Sequence, residues 1–79
     1  MITIHFFAGL KRFFSASIQM EALKLQTAKD VIDQLKATYP EASDLLDTCR
    51  IAVNEEFVEP SIAVKPNMEL FLIPPSSGG

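Results

Sequence analysis

The sequence predicts an α+β domain in which a mixed β-sheet packs on one main helix. Apolar and polar residues alternate in MITIHFF at the start of the chain and in MELFLI near its end, and this period of two indicates strands. Between them, TAKDVIDQLKATYP carries apolar residues at helical spacing. The chain has 79 residues, 48% of them apolar, which suits one small folded domain.

The first two strands are predicted from alternation. In the first, Ile2, Ile4 and Phe6 share a face and are expected to point inward. AGLKRFFSA, which contains Gly9, breaks the pattern and predicts a loop. Alternation resumes in SIQMEALKL and changes phase near Ala22, which predicts a bulge or the end of the second strand there.

The helix has start and stop signals. Thr27 is the predicted N-cap, and Asp30 three residues later resembles a capping box with Asp in place of Glu. Pro40 ends the helix, because the residue before a proline is pushed out of the helical region. EASDLLDT predicts a further turn or two of helix. The residues expected to line the buried helix face are Ala28, Val31, Ile32, Leu35 and Tyr39.

The rest of the chain predicts three more strands. CRIAVNEEFVEP reads as two short strands about a polar turn at 54–56, and VKPN marks another turn. In the last strand, MELFLI, one face carries Met68, Leu70 and Leu72, and the other carries Glu69, Phe71 and Ile73. The element order matches the β-grasp arrangement, in which the first and last strands are parallel neighbours. We expect a β-grasp domain over residues 1–73 and an extended tail over 74–79.

One face of this sheet should meet water, yet it is predicted to carry apolar residues. The polar residues expected there are Thr3, His5, Gln19, Glu21 and Glu69. Phe7, Phe71 and Ile73 share that face, and Phe57 is expected to join them. Scattered surface hydrophobes are one interpretation. A cluster beside the exit of the tail favours the other, a patch that docks a partner.

The tail combines a stiff spacer with a bare tip. Pro74 and Pro75 favour an extended conformation, and the six residues of the tail span at most ~20 Å. Ser76, Ser77 and Gly78 are small, so this segment can enter a narrow channel, leaving the carboxylate of Gly79 as the reactive group. A frayed terminus is the alternative.

Several functions are excluded at this stage. The net charge of −3 and the scattered Lys and Arg residues argue against nucleic acid. The single cysteine, Cys49, excludes a disulfide within the chain and fits a cytoplasmic location. There is no signal-peptide pattern and no membrane-length apolar run.

His5 has no ligand partner at metal-binding spacing, and no glycine loop for phosphate is present, so no bound metal or cofactor is expected.

The sequence resembles a known family over essentially its whole length. IPPSSGG, MITIHFFAGLKRF and IAVNEEFV are similar to the ending, the opening strand and the middle hairpin of molybdopterin synthase small subunits, which are ubiquitin-like sulfur carriers. The length and the stop at the second glycine also agree. KPN stands where many relatives have an Asp-Gly-Asp type of turn, and Ile73 stands where many have an aromatic residue.

The resemblance implies a sulfur-donating subunit that is not an enzyme on its own. A ubiquitin-activating-type adenylyltransferase would consume ATP to adenylate Gly79, and a sulfur donor protein would convert it to a thiocarboxylate (1-thioglycine). The segment Pro74–Gly78 would thread into the active site of the large synthase subunit. There the sulfur would pass to cyclic pyranopterin monophosphate, in a heterotetramer of two small and two large subunits. The partner-facing positions implied are Phe7, Phe57 and Ile73.

Three alternatives stay open. A thiamine-pathway sulfur carrier also ends in Gly-Gly but usually lacks the Pro-Pro spacer and the aromatic opening strand. A ubiquitin-like modifier would form isopeptide conjugates with lysines. A plain docking module with an inert tail would keep its function without Gly79.

Overall fold

The computed structural model describes residues 1–7, 9–10, 14–21 and 26–75. The described elements follow the predicted order, with a short 3-10 turn at Pro40–Ala42 between the helices. They are β1 (Ile2–Phe6), β2 (Ser17–Met20), α1 (Ala28–Thr38), α2 (Ser43–Thr48), β3 (Arg50–Val53), β4 (Glu56–Val58) and β5 (Glu69–Ile73). The phase change near Ala22 lies outside the described residues.

The strands form one mixed sheet in the order β2-β1-β5-β3-β4. β1 and β5 are parallel, with Ile4 opposite Leu70, and the other neighbouring pairs are antiparallel. The predicted β-grasp topology is therefore confirmed, including the pairing of the first and last strands.

The core lies between the sheet and the helices. The inward residues predicted for the first strand are buried, as are Val31 and Leu35 of α1. On the predicted face of the last strand, Leu70 and Leu72 are buried, while Met68 is only partly buried.

The segment after β1 was predicted as a loop, and no core residue was predicted in it, yet Leu10 and Phe14 are buried. Phe14 stacks on Phe6 with ring centroids 4.2 Å apart, so Phe14 extends the core beyond the end of β1.

The predicted capping box opens α1. The Thr27 side chain accepts a hydrogen bond from the Asp30 amide, while the Asp30 carboxylate accepts hydrogen bonds from the amides of Gln26 and Thr27, at 2.9 and 3.0 Å. Those backbone donors, Gln26 first, lower the pKa of Asp30 below its ordinary value. Thr27 also bridges to Ala63, so the helix start is tied to the segment before β5.

The hairpin between β3 and β4 is tighter than predicted. Glu56 pairs with Val53, so the turn consists of Asn54 and Glu55 rather than residues 54–56. Both turn residues have positive φ, 52° and 67°, as a two-residue type I′ turn requires. The right-handed twist of the strands favours this short turn. With only two residues in the turn, Glu56 belongs to β4 and pairs with β3.

None of the helices in the described part of the chain combines the length and the apolar character needed to cross a membrane.

Replacing the N-cap tests the start of α1. Thr27→Ala removes the side-chain acceptor for the Asp30 amide, and we expect it to lower the free energy of unfolding by about 1 kcal/mol in urea denaturation. Thr38→Ala is the matched control, because that exposed hydroxyl caps no amide and donates to the Gln34 carbonyl. Equal losses in the two variants would contradict the capping role.

The capping carboxylate should make stability depend on pH. Because folding lowers the pKa of Asp30 below 3.8, its contribution is fully present above pH 3.8 and is lost as pH falls through the folded pKa. We expect the stability gap between wild type and Asp30→Asn to shrink over that acid range in urea titrations. A gap that stays constant with pH would show that the carboxylate charge plays no part.

Candidate functional site

The outer face of the sheet, away from the helices, brings the predicted docking residues together. Strand register aligns Phe71 of β5 with Ala52 of β3, and Ala52 with Phe57 of β4. Phe7 follows β1 at the same end of the sheet. Phe7 and Phe57 are 41% and 53% exposed, which is high for phenylalanine, while Phe71 and Ile73 are half-buried. We call Phe7, Phe57, Phe71 and Ile73 the docking face; its role stays a prediction.

A groove of about 210 Å³ runs through the docking face. Its lining residues are Phe7, Ala52, Glu55, Phe57, Phe71 and Ile73. Ala52 creates it, because a methyl side chain stands in register between the two large rings of Phe71 and Phe57. A longer side chain at this position would fill the space between the rings.

One wall of the groove is held by a histidine. The His5 ring stacks on Phe71 with centroids 4.5 Å apart and an interplanar angle of 11°. The same imidazole places Nε2 at 2.7 Å from Oε1 of Glu69, which fixes the ring in that position. Phe7 contributes a second aromatic neighbour, 6.1 Å from Phe71 between centroids. His5 thus supports the Phe71 ring of the docking face. Among the described side chains, no cluster of residues could hold a metal ion.

The opposite wall is held by an arginine. The Arg50 guanidinium carbon lies 3.8 Å from the centroid of the Phe57 ring, a cation–π contact. Arg50 also pairs with Ile73 in the sheet, so this cation lies beside the last residue of β5.

Sequence reasoning did not name Arg50, Ala52 or Glu55 as site residues. The alternation that puts Ile51 and Val53 toward the core also puts Arg50 and Ala52 on the outer face. The outward direction of these two side chains was therefore predictable from the sequence. Their positions beside Phe57 and Phe71, however, depend on strand register.

The tail leaves the sheet beside the docking face. β5 ends at Ile73, Pro74 is buried and Pro75 is exposed. The predicted boundary between residues 73 and 74 stays a prediction, although burial of Pro74 means that this proline packs on the fold. The remaining tail residues, Ser76, Ser77, Gly78 and Gly79, lie outside the described residues.

Cys49 is a poor nucleophile in this environment. It lies one residue before β3, half-buried, and its Sγ donates to the Leu45 carbonyl at 3.2 Å. Burial disfavours the thiolate and raises the pKa of Cys49 to about 11.

Comparison with known proteins assigns the family. Residues 4–79 match the model of the ThiS family. The chain belongs to the ThiS family. This ThiS-family chain is also similar to two proteins named molybdopterin synthase sulfur carrier subunit. One, from Dictyostelium discoideum, is 38% identical over 67% of this chain. The other, from Chlamydomonas reinhardtii, is 31% identical over 85% of it. The alignments span 64% and 93% of those relatives' own lengths.

Solved structures share the fold. SAMP1 from Haloferax volcanii superposes with a TM-score of 0.81 at 25% identity, covering 99% of this ThiS-family chain and 98% of that one. Subunits 1 and 2 of the molybdopterin-converting factor from Helicobacter pylori form a complex in which the matched chain gives a TM-score of 0.71 at 20% identity, covering 99% of this chain and 97% of that one. At that identity the second likeness shows the fold alone.

The high thiol pKa predicts slow alkylation. At pH 8, iodoacetamide should modify Cys49 in the folded protein roughly two orders of magnitude more slowly than after unfolding in urea, because the thiolate fraction is smaller. Intact-mass measurements over time give both rates. A folded rate close to that of a free cysteine would contradict the burial effect.

Proposed function

We propose that this ThiS-family chain is the sulfur carrier subunit of a molybdopterin synthase. The observation that carries the proposal is the preformed apolar groove beside the strand that runs into a Pro-Pro-Ser-Ser-Gly-Gly segment. The names of the two curated relatives point to the same role. A docking face next to the segment that carries the reactive carboxylate is what a carrier that presents its terminus to partners requires.

The proposed chemistry begins with activation of Gly79. Its carboxylate attacks the α-phosphate of ATP on a ubiquitin-activating-type adenylyltransferase, and pyrophosphate leaves. The resulting acyl-adenylate has a carbonyl carbon that a sulfur nucleophile can attack, which a free carboxylate does not offer. AMP then leaves and a C–S bond forms, giving the thiocarboxylate.

The second half of the proposal is delivery of the sulfur. The docking face binds the large subunit while residues 74–79 extend into its active site. The sulfur passes to cyclic pyranopterin monophosphate as the dithiolene is built. Water hydrolyses the bond between that sulfur and the Gly79 carbonyl carbon, which regenerates the carboxylate. Tethering keeps the sulfur out of solution and raises its effective concentration at the acceptor. The catalytic groups belong to the partners, in an assembly of two small and two large subunits.

Cys49 suits this division of roles. A thiol with a pKa of about 11 is almost entirely protonated at neutral pH. Its thiolate fraction is smaller than that of an ordinary cysteine, which favours the terminal carboxylate as the group that reacts.

A second candidate is a ubiquitin-like protein modifier. The likeness to SAMP1, at a TM-score of 0.81 and 25% identity, favours it, since SAMP stands for small archaeal modifier protein. A thiamine-pathway carrier is the third, because it shares the family and the terminal diglycine. A modifier predicts isopeptide-linked conjugates in cells, whereas a dedicated carrier predicts none.

The first test is the intact mass of the chain after incubation with ATP, the cognate adenylyltransferase and sulfide. We expect the mass gain of one oxygen exchanged for sulfur, and no gain when Gly79 is deleted. Adding large subunit and cyclic pyranopterin monophosphate should then return the chain to its original mass as product forms. An unchanged wild-type mass, with the enzyme active on a known carrier, would overturn the proposal.

A further inference from the structure

We propose that the groove at Ala52 is a socket for one large apolar side chain of the large subunit, and that Arg50 pairs with a carboxylate on the same segment of that partner. The inference rests on the proposed function for the identity of the partner. It adds the chemistry by which that partner is recognised: an apolar side chain with an acidic neighbour on the tail side.

The size of the groove favours a single side chain. At about 210 Å³ it is smaller than the ~300–1,000 Å³ of pockets that hold drug-sized ligands. Its lining is almost wholly apolar, with Glu55 as the one charged residue at the hairpin end. Such a cavity offers little to a polar cofactor and suits an aliphatic or aromatic anchor of the kind that dominates protein interfaces.

The socket is preformed. Phe71 is fixed by the stacked His5, which is itself held by Glu69 at 2.7 Å, and Phe57 is fixed by Arg50. Each wall is thus braced from outside the groove. Because Phe71 and Phe57 are already ordered, they lose little conformational entropy when a partner binds. An entering side chain is therefore bound more tightly.

The positive charge of Arg50, beside the groove, favours an acidic residue next to the apolar side chain of the partner. Among the described residues, no carboxylate lies within ion-pair distance of Arg50. Its guanidinium carbon lies 3.8 Å from the centroid of the Phe57 ring, and a guanidinium has five N–H donors, which allows it to bind a carboxylate as well as contact a ring. Arg50 lies opposite Ile73, at the tail end of the groove, while Glu55 lies at the hairpin end and repels a second acid there.

Filling the socket is the first arm of the test. Ala52→Leu occupies the space between the two phenylalanine rings, and we expect the dissociation constant for the large subunit to rise at least tenfold by isothermal titration calorimetry. Ala37→Leu, the same substitution on the exposed side of α1, should bind like wild type. Thermal unfolding monitors folding of both variants. An Ala52→Leu chain that folds and binds like wild type would overturn the socket.

Reversing the rim charge is the second arm, and it does not depend on Ala52→Leu folding. Arg50→Glu should weaken binding at least tenfold at low salt, with a smaller difference at high salt because the pair is screened. Lys65→Glu makes the same change of net charge on an exposed loop residue and should have little effect, while Arg50→Lys should restore most of the binding. Equal losses for Arg50→Glu and Lys65→Glu would leave only a general charge effect and would overturn the pairing.

The outcome can be separated from that of the proposed function. Wild-type chain that binds the large subunit through the groove but gains no sulfur in the mass experiment would overturn the carrier role and keep the socket. Wild-type chain that gains sulfur while Ala52→Leu binds normally would keep the carrier role and overturn the socket. Failure of the wild-type chain to bind the large subunit would overturn the socket as assigned.

Discussion

The parallel pairing of β1 and β5 is the constraint on which the rest of the structure depends. It brings the two ends of the chain into adjacent strands in the middle of the sheet, so Ile4 and Leu70 meet in the core. Parallel strands end at the same edge, which places Phe7 beside Ile73 and the start of the tail. One pairing therefore builds the core and positions the candidate site.

The two faces of the sheet have different tasks. α1, fixed at its start by the Thr27 cap and the bridge to Ala63, covers the inner face and completes the core. The outer face takes no part in that core, so its exposed Phe7 and Phe57 do not follow from the needs of folding. Exposed aromatic residues that line one groove are better explained by a partner that covers them.

The site is held by weak interactions between neighbouring strands. Stacking of His5 on Phe71 and of Arg50 over Phe57 is each worth on the order of 1 kcal/mol at exposed positions. Those energies are small beside that of the core, yet they favour one orientation of the rings on the outer face. Glu55, at φ 67°, adds a turn residue in the left-handed region beside the same groove. These contacts therefore contribute more to the shape of the docking face than to the stability of the fold.

Much of the fold was determined by the sequence, because its signals are local. A period of two selected the inward residues of β1 and β5, and Thr27 with Asp30 marked the start of α1. The same alternation found Phe7, Phe71 and Ile73 on the outer face. Segments without a period were less informative, so the buried Leu10 and Phe14 were missed.

Only the tertiary structure decided which outward residues meet. Alternation gives the face of a residue but not its neighbour on the next strand, because register is set by contacts between residues far apart in the chain. The groove exists because Ala52 falls in register between Phe71 and Phe57, and Arg50 reaches Phe57 for the same reason. The sequence by itself determined the strands, the capped helix and the apolar outer face; the pairing of distant strands turned that face into a shaped site.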